Sequence, residues 1–149
     1  MKALSIQQPW ADAVLTGAKR IENRTWRSDY RGNLLIHAGK RFDQDGMTFV
    51  MERYNEIGLA LMRPLLSSAS DRRGVLLGMV TMVDCVRAEA VAEEQASWAF
   101  GPWCFVFENP RIFREPIVYQ GALGLFKVPR AVFGSVETLA IHLAAKESA

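Results

Sequence analysis

Lys19, Glu22 and Arg24 crowd into one short segment, Gly17-Ala18-Lys19-Arg20-Ile21-Glu22-Asn23-Arg24, with Trp10 before it and Trp26 just after. The spacing is G-x-K-x-x-E-x-R. A carboxylate bracketed by two cations is costly to bury unless every charge is paired. Used chemically, such a carboxylate accepts a hydrogen bond from a cytosine-like amino group. Lys19 and Arg24 suit a phosphate or a carbonyl oxygen. Trp26, interleaved with Arg27, Tyr30 and Arg31, has the composition that stacks on exposed bases, and Trp10 could form a second wall. Spacing alone favours a plainer reading, in which the charges are an ion pair holding the first helix against the barrel. Strand parity puts Glu22, Arg24 and Trp26 on one face and leaves Lys19 out of step. Lys19 joins them only if the chain is not yet extended there.

A second cluster, His37-Ala38-Gly39-Lys40-Arg41, ends a strand on a glycine before two cations. Freed backbone amides with Lys40 and Arg41 would hold a phosphate; a basic loop is the commoner outcome, and Asp43 and Asp45 partly cancel the charge. The candidate ligand-binding residues are therefore Trp10, Lys19, Glu22, Arg24, Trp26, His37 and Lys40. Were the chain an enzyme, Lys19 and Glu22 would be its catalytic pair. A metal-independent ribonuclease would draw on Lys19, His37 and Lys40. No nucleophile elbow, Ser-His-Asp order, G-x-G-x-x-G or G-x-x-x-x-G-K-[ST] occurs. Two cysteines, Cys85 and Cys104, and two distant histidines do not make a zinc site. No metal and no cofactor is expected.

Elements must position these groups. Ala3–Ile6 reads as a strand. Pro9 suits the first helical residue, and Gly17 a left-handed helix end. Strands are expected over Lys19–Trp26, Leu34–Ala38, Val75–Val86, Trp103–Glu108, Ile112–Phe113, Ile117–Tyr119 and Leu123–Val128, with breaks at Asn109-Pro110 and Glu115-Pro116. Helical spacing marks Asp45–Ile57 and, from Ser135, a last helix over 135–146. Residues 59–73 read as an irregular, variable excursion. Trp103 is expected in the core and Trp98 at a rim. Short strands with few helices predict an α+β fold, a small mixed β-barrel with flanking helices.

The chain has 149 residues, enough for one domain with a real core. A net charge of +2 permits an anionic partner without demanding one. No signal sequence is expected at the N-terminus, and Val75–Val83 is too short to span a bilayer as a helix. A cytoplasmic location, with no membrane partner, is the expectation.

Several segments together resemble the ASCH family, the activating-signal-cointegrator homology domains of the PUA-like superfamily. They are Leu4-Ser5-Ile6-Gln7-Gln8-Pro9-Trp10, the G-x-K-x-x-E-x-R segment, Leu35-Ile36-His37-Ala38-Gly39-Lys40, Gly101-Pro102-Trp103, Glu108-Asn109-Pro110-Arg111 and Gly121-Ala122-Leu123-Gly124-Leu125-Phe126. The resemblance implies a single PUA-like domain over residues 1–149 with a cleft around the charged motif. It implies RNA or modified-nucleoside recognition as the theme. Some members of the family are amidohydrolases that deacetylate 4-acetylcytidine with a Lys, a hydroxyl nucleophile and a Glu. Their Lys corresponds to Lys19, but their hydroxyl falls where this chain has Glu22, so the expected nucleophile is missing. The leading expectation is thus a binding module for RNA or a modified nucleoside. The alternatives are a hydrolase, as amidohydrolase or ribonuclease, and a protein-interaction domain.

Overall fold

The computed structural model describes residues 1–57, 71–134 and 140–142. Most of the 59–73 excursion lies outside them. Among the described residues no helix is long and apolar enough to cross a membrane.

The chain runs β1 (Lys2–Gln8), α1 (Trp10–Leu15), β2 (Ile21–Arg24), β3 (Gly32–Phe42), α2 (Gln44–Ile57), β4 (Val75–Arg87), a 3-10 segment (Glu93–Trp98), β5 (Trp103–Val118), β6 (Leu125–Lys127), α3 (Arg130–Phe133) and β7 (Ala140–His142). The fold is α+β, as expected. One sheet carries the strands in the order β2-β5-β4-β3-β1-β6, and β7 also pairs with β5. β1 and β3 are parallel; the other pairings are antiparallel.

Three expectations are corrected. The barrel is not closed by backbone pairing, because β2 and β6 end the hydrogen-bonded path. The asparagine-proline and glutamate-proline breaks do not end a strand: β5 runs through both, with irregular register against β4 and Asn109 at φ +53°. Bulges absorb prolines that a regular ladder would reject. Ala140–His142, placed in a helix by spacing, is a short strand on Arg111–Phe113; the rest of 135–146 lies outside the described residues.

Among the described residues the apolar side chains form three cores, one of them built on Ile21, Val50, Trp98 and Cys104, and the other two lie on opposite faces of the sheet. Leu4, Ile6, Leu34, Ile36, Phe105 and Phe107 form one with Ala11, Val14 and Leu15 of α1. Ala3, Leu35, Leu76, Met79 and Phe113 form another with Phe133 of α3. Alternation along β1 and β3 sends neighbouring side chains to opposite cores. Burial of this apolar surface is the main stabilising term. α1 is short because Gly17, at φ +86°, turns the chain back after one and a half turns or so.

Candidate functional site

The sheet curls until its edge strand β2 approaches β1, although β5, β4 and β3 lie between them in the sheet order. β6 covers only Lys2–Leu4 of β1. Beyond Leu4 that edge is open, and side chains bridge the gap. Arg24 of β2 donates through an η nitrogen to the Ser5 carbonyl at 2.7 Å. The charged motif therefore sits in the seam where a barrel would close.

Lys19 precedes β2. Its backbone N–H turns back onto the Ala13 carbonyl at 3.2 Å, so the residue is not extended and the parity objection lapses. Gln95 fixes this turn from the 3-10 segment: its carbonyl accepts from Arg20 N at 2.7 Å and its amide donates to Ala18 O at 3.1 Å. Lys19 Nζ then donates to Glu22 Oε1 at 3.0 Å and to the Ile21 carbonyl at 2.8 Å. Arg24 donates to Glu22 Oε2 at 2.9 Å. Lys19 is 2 % exposed and Glu22 8 %, so the pairing is a buried one. Each carboxylate oxygen has its own cation, and the three side chains together carry one excess positive charge. Among the described residues Arg24 Nε is buried without an acceptor.

These groups line a cleft of about 620 Å³, shared with Ser5, Gln7, Trp10, Trp26 and Phe100. The volume suits a small organic ligand or one nucleotide. Trp10 stands with its ring centroid 5.5 Å from Lys19 Nζ, and its indole N–H donates to Asp43 Oδ2 at 2.9 Å. Helix α2 comes close here because Gly46 has no side chain: a Cβ would lie 2.7 Å from Trp10. A glycine inside a helix costs about 1 kcal/mol against alanine, and the close approach is its use. Trp26 leans edge-on against Phe105, with centroids 5.1 Å apart.

Five of the seven residues singled out by sequence thus converge: Trp10, Lys19, Glu22, Arg24 and Trp26. His37 and Lys40 do not line the cleft. His37 is 2 % exposed and sits on the other face of the sheet, within 2.8 Å of Ser5 Oγ and 2.7 Å of the Tyr119 carbonyl. Burial lowers its pKa, opposed by the Tyr119 contact. Lys40 is exposed at the end of β3, its stem beside Gly74. The two tryptophans of the later segment exchange places: Trp98 is buried at 4 % exposure, while Trp103 is half-buried under Arg87.

Two groups escaped sequence reasoning. Asn23, between the motif residues, spends most of its side chain on the 98–101 segment, with Oδ1 also accepting from Cys104 Sγ at 3.4 Å. Nδ2 donates to Trp98 O at 3.0 Å, and Oδ1 accepts from Phe100 N and Gly101 N, both at 2.8 Å. Strand parity did say that Asn23 points away from Glu22; nothing said where. The second group lies on α1. Asp12 is 2 % exposed and accepts from the Arg72 guanidinium. Its backbone N–H donates to Gln8 Oε1 at 3.0 Å. Burial pushes the Asp12 carboxyl up to about 6, with Arg72 and Gln8 pulling it back. A residue at a solvated helix position by composition alone gave no sign of this. Among the described residues no cluster of His, Cys, Asp and Glu could hold a metal ion.

The ASCH domain model matches residues 4–127. Activating signal cointegrator 1 from Homo sapiens is 28 % identical over 148 residues, covering 87 % of this chain. The Mus musculus protein of the same name is 29 % identical over the same share. This chain spans about a quarter of the length of those relatives, 25 % in each case. Among solved structures, the ASCH protein from Zymomonas mobilis superposes with a TM-score of 0.51 at 14 % identity, covering 95 % of this chain and 96 % of that one. A single-substitution variant of the same protein gives a TM-score of 0.53 at 14 % identity, over 94 % and 98 % of the two chains. Those likenesses speak for the fold.

Proposed function

The chain belongs to the ASCH domain family, and on that premise we propose that it binds RNA, or a modified nucleoside, in the cleft around Lys19, Glu22 and Arg24. ASCH domains as a family are thought to bind RNA. One observation carries the reading to this cleft: a buried triad with one excess positive charge opens between Trp10 and Trp26. Cations and aromatic faces in one concavity match the phosphate and the base of a nucleotide.

Binding suits the triad better than hydrolysis. Glu22 already accepts from both cations, one on each oxygen. Each oxygen keeps a lone pair, enough to accept from a base amino group. The hydroxyl nucleophile of the amidohydrolase members is replaced by this carboxylate. Burial raises the pKa of the nearby Cys104 thiol, which keeps it protonated.

The test is incubation of the purified protein with short RNA oligomers and free modified nucleosides, read by mass spectrometry. Retained ligand of unchanged mass is the expected result, with an affinity that weakens as salt rises. Deacetylation or strand cleavage would make the cleft an active site instead. No retention of any RNA or nucleoside at low ionic strength would overturn the reading in favour of a protein-interaction domain.

A further inference from the structure

We infer that the cleft takes one unstacked nucleobase, laid face-on against Phe100, and that Asn23 is the residue that positions Phe100 for it. This rests on the reading of the cleft as a nucleotide site and goes beyond it in two ways. It assigns the stacking face to Phe100 rather than to either tryptophan, and it restricts the ligand to single-stranded or extruded bases.

Phe100 lines the cleft and is 68 % exposed. The other exposed large hydrophobic side chains among the described residues, Met1, Val118 and Leu123, are not aromatic. The candidate tryptophans are both half-buried in the cleft wall and show less ring than Phe100. Trp10 is tied by its N–H to Asp43, and Trp26 packs edge-on against Phe105. Phe100 has an edge contact with Phe49 of α2, at 5.9 Å and 67°, an arrangement that steadies the ring at an angle to its neighbour. Phe49 also packs on Trp10 at 5.9 Å and Trp98 at 5.7 Å, so two walls of the cleft share one prop.

The backbone beneath Phe100 is fixed as well. Both its own N–H and that of Gly101 donate to the side-chain Oδ1 of Asn23. Asn23 is held in β2 by its register opposite Cys104, between Glu22 and Arg24. The strand that supplies the charged groups therefore also sets the position of the exposed ring. A platform ordered before the ligand arrives loses little entropy on binding. A planar ring on one side and hydrogen-bonding cations with a carboxylate on the other match the face and the edge of a nucleobase. In a duplex both faces of a base are covered by its neighbours, so only an unstacked base can present one to Phe100.

The experiment is fluorescence anisotropy with a labelled short single-stranded RNA, set against the same sequence annealed as a blunt duplex. The wild-type protein, Phe100→Ala, Phe100→Leu, Phe100→Tyr and Arg24→Ala are compared, with thermal unfolding of each to confirm the fold. Phe100→Ala is expected to weaken single-strand binding roughly 5- to 150-fold, the range that loss of one base–aromatic stack gives. Phe100→Leu should lose nearly as much, Phe100→Tyr should retain affinity, and the duplex should bind more weakly than the single strand. If Phe100→Ala binds like wild type while Arg24→Ala does not, stacking on Phe100 is wrong and the cleft reading stands. Equal affinity for duplex and single strand would also overturn the inference. If neither the RNA nor a free modified nucleoside is bound, or if both variants bind like wild type, the cleft reading fails and takes this inference with it.

Discussion

Ser5 and His37 are partners in the parallel β1–β3 register, and Ser5 Oγ lies 2.8 Å from His37 Nδ1. The other ring nitrogen faces the Tyr119 carbonyl, which can only accept, so Nε2 carries the proton and Nδ1 accepts from the serine hydroxyl. A Cβ on Gly121 would come within 2.7 Å of the ring, which leaves the glycine packed over it. His37 thereby ties β6's incoming loop to the centre of the sheet, away from the cleft.

The histidine's titration should be visible in stability. Its folded-state pKa is lowered by burial, so the unfolded chain takes up the proton first. Stability from neutral His37 is present above the unfolded value, near 6.5, and is lost as pH falls below it. Chemical denaturation of wild type and His37→Gln between pH 7 and 5 should show the wild type losing its advantage on acidification. Parallel curves would mean that His37 is not buried neutral.

Asp12 should act in the opposite direction. Its carboxyl is raised from 3.8 to about 6, so the folded protein binds the proton more tightly. The contribution of protonated Asp12 is fully present below the unfolded value of about 3.8 and is lost as pH rises through about 6. The displacement corresponds to at most roughly 3 kcal/mol. Asp12→Asn should flatten that part of the profile and be more stable than wild type at pH 7, with the asparagine carbonyl accepting from Arg72 in place of the carboxylate. A large loss of stability at pH 7 would show instead that the Arg72 ion pair dominates.

Glu22→Gln removes one charge from a buried triad while nearly preserving its shape. Two cations lose their shared counter-charge, and breaking a buried pair costs about 3–5 kcal/mol. Urea unfolding should show a cost of that order, and RNA affinity should fall further than stability accounts for. A folded variant with unchanged affinity would confine Glu22 to a structural role.

Asn23→Ala strips the acceptor from Phe100 N and Gly101 N and the donor from Trp98 O. Leaving partly buried backbone groups unsatisfied costs about 1–3 kcal/mol. Proteolysis should open the 98–102 segment first, and RNA affinity should drop in the same sense as in Phe100→Ala. Affinity equal to wild type would separate Asn23 from the cleft.

Lys40 provides the contrast. Since it lies outside the cleft, Lys40→Ala should change RNA affinity less than Arg24→Ala at every salt concentration. A larger effect at Lys40, with a salt slope reduced by about one counterion, would move the phosphate path to the end of β3.

By itself the sequence determined the family, the α+β class, the strands at β1, β3 and β4, and the charged motif flanked by tryptophans. Those depend on local pattern: alternation, glycine at a helix end, and a run of residues close enough to be read together. What it could not determine is which distant segments meet. Lys19 is inside the site because its backbone turns back onto Ala13, and His37 is outside it on the other face of the sheet, while a sheet that curls and does not close leaves β1 open past Leu4 for Arg24 to bridge. The reach of β5 through two prolines depends on register slips against β4, a property of the pair and not of either strand. The standing of Phe100 was hidden for the same reason. Its exposure follows from where Asn23, far away in sequence, fixes its backbone. The burial of Asp12 likewise needed Arg72, which only the folded chain brings to α1.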